Sequence, residues 1–227
     1  MYKLLLLIIL TSCEKVSLKG FNISNRKRAV WSNAILVCDG NSLTYGTGSS
    51  NLSTKPFPAL LDADSAFNGT TVYNFGVPAQ TTAQMSSDAV SQVDSLYDSA
   101  KSNVVIAWEV GNDIFYNGNA TTAVSTFWTY CDNRRSAGWR VVVITCPPRD
   151  QATDFGDNSA QYNVKLTDAN ALLRSQFTSH ADGIIDLASD SRFSGYNLTY
   201  YDADKIHYTD AGYQVVKDLV KAKLLEL

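Results

Sequence analysis

The chain has 227 residues, enough for one substantial core and short for two ordinary domains. With 45% hydrophobic and 18% charged residues, it has the profile of a compact globular protein and not of a disordered one. A formal net charge of −3 provides no global basic field to hold nucleic acid, and the one basic cluster, Arg26-Lys27-Arg28, reads as a solvated stretch.

Lys3 is followed by an unbroken apolar run from Leu4 to Leu10. The run is too short to cross a bilayer, which takes roughly 20 apolar residues. It fits the apolar part of an export signal followed by small residues. Leu10-Thr11-Ser12-Cys13 resembles the lipobox of bacterial lipoproteins. That resemblance implies an exported protein lipidated at Cys13 and held on a membrane, periplasmic or at the cell surface, only through that anchor. A plain signal with a chance cysteine, giving a secreted protein, and a cloning artefact are the alternatives. Residues 14–33 are polar and read as a tether, which leaves one domain over 34–227. The remaining cysteines, Cys38, Cys131 and Cys146, are odd in number and read as buried thiols. There is no Cys-x-x-Cys pair and no His cluster, so no structural metal is expected.

Five short runs rich in β-branched residues read as strands: 34–38, 71–75, 104–108, 140–145 and 183–187. Their near-continuous apolar character predicts a parallel sheet covered on both faces. A short helix with Pro58 in its first turn is expected over 57–67. Longer ones are expected over 82–100, over 120–137 with Gly138 as its stop, over 159–177, and over 209–227 capped by Thr209 or Asp210. Strands alternating with helices imply a three-layer α/β/α sandwich around a mostly parallel five-stranded sheet. Ligands of such sheets bind beyond the carboxyl ends of the strands.

Polar and glycine residues gather at those ends. Ser42 follows the first strand in Asp39-Gly40-Asn41-Ser42, Gly76 follows the second, and Gly111-Asn112-Asp113 follows the third. Asp204-Lys205-Ile206-His207 stands before the last helix. Of the two histidines, His180 precedes the fifth strand, at the wrong end of the sheet, and reads as a surface residue. His207 is at the right end. A serine hydroxyl needs a base to become nucleophilic, and the base needs a carboxylate to fix its tautomer. Ser42, His207 and Asp204 supply these three roles.

Four blocks in order give the chain a resemblance to the SGNH hydrolases of the GDSL esterase/lipase family: Gly40-Asn41-Ser42-Leu43-Thr44-Tyr45-Gly46, Asn74-Phe75-Gly76-Val77-Pro78, Asn112-Asp113, and Asp204-Lys205-Ile206-His207-Tyr208-Thr209-Asp210-Ala211-Gly212-Tyr213. The resemblance implies a flavodoxin-like fold, a Ser-His-Asp esterase using no cofactor or metal, and an oxyanion hole made by the amides of Ser42 and Gly76 and the side chain of Asn112. Two departures stand out. Asn41 replaces the family's usual Asp. The usual Gly-x-Asn-Asp reads Val110-Gly111-Asn112-Asp113 here, with its glycine displaced by one.

Phe115, Tyr116, Tyr196, Tyr200 and Tyr201 lie near these blocks and are candidates to stack on a sugar or line an acyl pocket, against the plainer expectation of loop packing. Arg149 and Asp150 follow the fourth strand and read as a local ion pair rather than substrate contacts. No long hydrophobic lid is evident. The expected substrate is therefore a short-acyl ester, a small molecule or an O-acetylated carbohydrate. A lysophospholipase or thioesterase, a transacylase, and a carbohydrate-binding lipoprotein without catalysis are the alternatives. A fold alone does not choose between them.

Overall fold

The computed structural model describes residues 31–154 and 156–227. The export signal, Cys13 and most of the tether lie outside the described residues. Among the described residues, no helix is long and apolar enough to cross a membrane.

Five parallel strands form one sheet in the order β2-β1-β3-β4-β5. They are β1 (Ala34–Gly40), β2 (Thr70–Gly76), β3 (Ser102–Trp108), β4 (Arg140–Ile144) and β5 (Gly183–Ile185). Between them run the short helices α1 (Ser42–Tyr45), α2 (Phe57–Asp62) and α4 (Gly111–Asn117) and the longer α3 (Thr82–Gln92), α5 (Ala120–Ser136) and α6 (Ser159–His180), and α7 (Asp210–Glu226) follows β5. Helix α5 packs on both α3 and α6, and α2 packs on α7, so both faces of the sheet are covered.

The central strands explain their composition. β1 is buried along its whole length and β3 from its second residue onward. The edge strand β2 departs from the expectation of burial on both faces, for most of its residues are only partly covered or exposed. The helix expected over 82–100 ends at Gln92 and is followed by a 3₁₀ turn at Asp94–Leu96. Gly138 takes φ +103, the left-handed stop the sequence called for after α5. Thr209 caps α7, its hydroxyl accepting from Gly212 N–H. Trp31–Asn33, assigned to the tether by composition, instead form a 3₁₀ turn whose tryptophan packs edge-on against Phe67 at 5.2 Å. Cys38, Cys131 and Cys146 are buried free thiols, and burial pushes each pKa up.

Strand order reverses between β1 and its two neighbours, which is where such sheets open a crevice. The register is tight there: Gly40 pairs with Gly76 on one side and with Trp108 on the other. Three strand ends therefore stop level with one another, and the segments after them share one edge.

Candidate active site

Ser42 is the first residue of α1. Asn41 caps that helix, its side-chain oxygen accepting from Leu43 N–H at 2.9 Å. The N–H groups of Thr44 and Tyr45 go to the Asn41 carbonyl. The Ser42 N–H has no intrahelical partner, as is normal for the first turn. Gly76 lets the end of β2 press onto this helix, since a Cβ there would stand 2.1 Å from Tyr45 N. The Gly76 N–H is not open, for it donates to the Asn74 side chain at 3.0 Å.

His207 reaches Ser42 from the other end of the chain. The Ser42 hydroxyl lies 2.8 Å from His207 Nε2, and His207 Nδ1 lies 2.6 Å from Asp204 Oδ2. The other oxygen of Asp204 accepts from the N–H groups of Ile206 (2.8 Å) and His207 (2.9 Å). Burial pushes Asp204 up, but these backbone bonds and the His207 ring outweigh it and hold the carboxyl below its usual range. The loop carrying both residues is closed by an antiparallel bridge between Tyr201 and Tyr208. Tyr208 packs among Phe193 (4.7 Å), Tyr201 (5.2 Å) and Tyr213 (5.7 Å). Tyr213 ties α7 to the segment after α1 by donating to Thr47 C=O at 2.7 Å. Gly48 then passes close under the histidine, where a Cβ would meet Tyr208 O at 2.8 Å and His207 Cβ at 3.1 Å.

Asn112 approaches from the third strand end. Its side-chain nitrogen donates to Gln80 C=O (2.9 Å) and its side-chain oxygen accepts from Arg149 Nη1 (3.2 Å), which fixes the amide's orientation. Arg149 is buried in this position and does not pair with Asp150 as the sequence suggested; Asp150 pairs with Lys205 at 3.0 Å instead. Gly111 makes room for the guanidinium, because a Cβ there would stand 2.1 Å from Arg149 Nη2. Glu109, fully buried, accepts from Asn112 N–H (2.7 Å), Asp113 N–H (3.3 Å) and the Asn41 side chain. Its carboxyl is pushed up by burial first and by Asp113 second. Asp113 accepts from the Thr82 N–H and hydroxyl and so holds the start of α3.

The structure thus brings Ser42, His207 and Asp204 into one hydrogen-bonded line, and Gly76 and Asn112 to the same sheet edge. The aromatic candidates separate. Tyr201 is in the core, its hydroxyl donating to Pro148 C=O at 2.7 Å, so it is not a substrate-facing residue. Tyr196, Tyr200 and Phe115 are half-buried against the core. Tyr116 is exposed. His180 is half-buried rather than superficial, stacked on Trp128 at 4.9 Å and bonded to Asp132 at 2.9 Å. Reasoning from sequence missed Glu109 and Gln80. A carboxylate closing an apolar strand was a signal for the first, whereas nothing local marked the second. Among the described residues no cluster of His, Cys, Asp and Glu is arranged to hold a metal ion.

Solved structures with the same fold span nearly their whole length on this chain. A member of the lipolytic G-D-S-L family from Veillonella parvula aligns with a TM-score of 0.69 at 15% identity, covering 83% of this chain and 97% of its own. A GDSL-like lipase from Bacteroides thetaiotaomicron gives 0.67 at 16%, covering 88% and 92%. An acetyl xylan esterase gives 0.63 at 16%, covering 83% and 98%. No curated protein matches the chain. At these identities the structures establish the fold, which is the α/β arrangement expected from the strand and helix order. The sequence carries the rest: the model of the GDSL-like lipase/acylhydrolase family matches residues 38–215, from the end of β1 to within α7 and across every block described above, and the chain belongs to that family.

Proposed function

We propose that the protein is a serine esterase that removes short acyl groups, acetyl above all, from a carbohydrate. The observation that carries this reading is the continuous line from Ser42 Oγ through His207 to Asp204, with contacts of 2.8 and 2.6 Å. In it Ser42 attacks the ester carbonyl while His207 Nε2 takes its proton. The tetrahedral oxyanion is received by the Ser42 N–H, the Asn112 side-chain N–H not given to Gln80, and the Gly76 N–H once it exchanges Asn74 for the substrate oxygen. The C–O bond to the leaving alcohol then breaks as His207 returns the proton to it. Water repeats the sequence on the acyl-enzyme and frees the acid. Asp204 keeps Nδ1 protonated and stabilises the imidazolium. The acetyl xylan esterase among the structural neighbours supports the choice of a short acyl group. The Leu4–Cys13 segment supports export and lipidation at Cys13, which mass spectrometry of the mature N-terminus would detect.

The test is a series of p-nitrophenyl esters of increasing chain length beside acetylated xylan, with a fluorophosphonate label on the protein. Ser42→Ala is expected to lose turnover by a factor on the order of 10⁶ and to take no label. Asn112→Ala is expected to lose on the order of 10²–10³ and still be labelled. Preference for long fatty esters would favour a lysophospholipase or thioesterase, and an unlabelled Ser42 in the native protein would sink the esterase reading.

A further inference from the structure

Directly after Gly76 in the chain, the 77–81 loop, with α3 and Tyr116, borders an open cleft of about 830 Å³. Gln80 belongs to both places: its backbone carbonyl holds the Asn112 amide at 2.9 Å, and the residue lines the cleft. It is only 5% exposed. Its side-chain nitrogen points at Asp88 Oδ2 (3.4 Å), which orients the amide, and its side-chain oxygen has no hydrogen-bond partner among the described residues. A buried acceptor left unpaired costs about 1–3 kcal/mol, so a donor from outside the chain is the natural completion.

The loop is built to hold Gln80 in this position. Gln80 N–H donates to Val77 C=O at 3.1 Å across a turn with Pro78 second and Ala79 third, and Ala79 takes φ +63. A positive φ on a residue with a side chain is a strain that persists where its surroundings over-determine it.

We infer that this cleft binds the alcohol part of the ester and that this part is a neutral polyhydroxylated ring, a sugar. The catalytic half of the inference rests on the esterase reading above; the binding half does not. Three features choose the ligand class. Among the described residues no lysine or arginine lines the cleft, so an anionic headgroup finds no counter-charge there. The lining from Gln80, Thr81, Gln84, Ser87 and Asp88 is too polar for a long acyl chain. Sugar hydroxyls supply what is missing: one donates to Gln80 Oε1, another to Asp88, and one accepts from Gln84, whose own side-chain oxygen is already taken by Thr81 N–H at 2.9 Å. Tyr116, 37% exposed and braced edge-on by Phe115 at 4.8 Å, offers a ring face to the apolar side of a pyranose.

Two measurements test this. The ratio of kcat/KM for acetylated xylo-oligosaccharide to kcat/KM for p-nitrophenyl acetate is expected to fall about tenfold in Gln80→Met and in Tyr116→Ala, the second being a surface change that spares folding. A ratio within about twofold of wild type in both variants overturns the subsite. Separately, xylotriose titrated into the Ser42→Ala protein should shift the side-chain amide signals of Gln80 and Gln84 saturably, and Tyr116→Ala should abolish the shifts. If neither ester is cleaved and fluorophosphonate leaves Ser42 unmodified, the esterase reading fails. Saturable xylotriose shifts would then still establish the cleft as a sugar site, and their absence would remove it as well.

Discussion

Val110 sits at φ +109 with its side chain fully buried. A β-branched residue in the left-handed region is a genuine outlier, and it stands where the family pattern Gly-x-Asn-Asp places its glycine. The backbone has therefore kept the turn that delivers Asn112 to the edge, with valine in place of the residue best suited to it. Gly111 is not that glycine moved by one; it serves Arg149, which lies where its Cβ would be. Replacing Val110 separates the two contributions. Val110→Ala removes buried methyl groups and keeps a Cβ at positive φ, whereas Val110→Gly removes slightly more and releases the strain. Glycine is ordinarily worse than alanine inside an element by roughly 0.5–1 kcal/mol. Here the order should reverse, with the glycine variant more stable by about 1 kcal/mol in urea unfolding. Alanine more stable than glycine by the ordinary margin would show the turn to be unstrained. Ser42, Asp204 and His207 were legible because few residues of their chemistry fall at the right strand ends. Arg149 and Gln80 were not legible in their roles, because each acts on a partner 32 to 37 residues away and local patterns carry no trace of such contacts; Glu109 had only the sign of a carboxylate closing an apolar strand, while its partner Asn41 lies 68 residues away.

The helices α1 and α4, which carry Ser42 and Asn112, are too short to show a 3.6-residue period, so no periodicity marks them as helices. What joins them is a single buried contact. Asn41 uses its oxygen to cap α1 and its nitrogen to meet Glu109, whose other oxygen holds the start of α4. The departure from the family's aspartate thus has a physical reason, since an aspartate here would set two carboxylates against each other away from water. Asn41→Asp is expected to cost roughly 1–3 kcal/mol at pH 8 and less at pH 5, where one of the pair can hold a proton. Adding Glu109→Gln restores a donor to the new carboxylate and should recover most of the loss, a coupling that a double-mutant cycle of thermal melts would measure. Additive costs would mean that the two side chains do not communicate. The longer helices and all five strands were legible to within a few residues at most boundaries. The main exceptions are the end of α3, where the chain bends into a 3₁₀ turn, and β2, whose apolar run suggested burial that an edge strand does not have.

Several acids govern how the whole molecule responds to pH. Asp39, buried at the end of β1, has its pKa raised from 3.8 to about 7 by burial, which the Tyr130 hydroxyl and Arg134 only partly offset. Glu109 is shifted in the same direction. A carboxyl whose folded pKa lies above its unfolded one stabilises the fold fully at low pH and loses that contribution as pH rises through the folded value. Asp64 is opposite in sign: Lys217 and Lys221 hold it low, so its contribution disappears as pH falls through the folded value. The melting temperature should therefore decline from about pH 5 to pH 7–8. Asp39→Asn, which keeps an acceptor for Tyr130, should flatten part of that decline, by up to about 3 kcal/mol between pH 5 and pH 8 at about 1.4 kcal/mol per pH unit. An unchanged slope in Asp39→Asn would mean that Asp39 is ionised in the fold throughout.

The Ser42–His207 contact spans 165 residues, from the first strand to the threshold of the last helix. The other histidine is stacked against Trp128 and bonded to Asp132. A growing or half-folded chain therefore presents its serine long before it holds the imidazole to which the esterase reading gives the role of base. Loop-closure entropy must be met before that pair forms, and the Tyr201–Tyr208 bridge has to settle with it. On the esterase reading proposed above, hydrolysis would be a signature of completion, expected of no fragment that lacks the C-terminal turn.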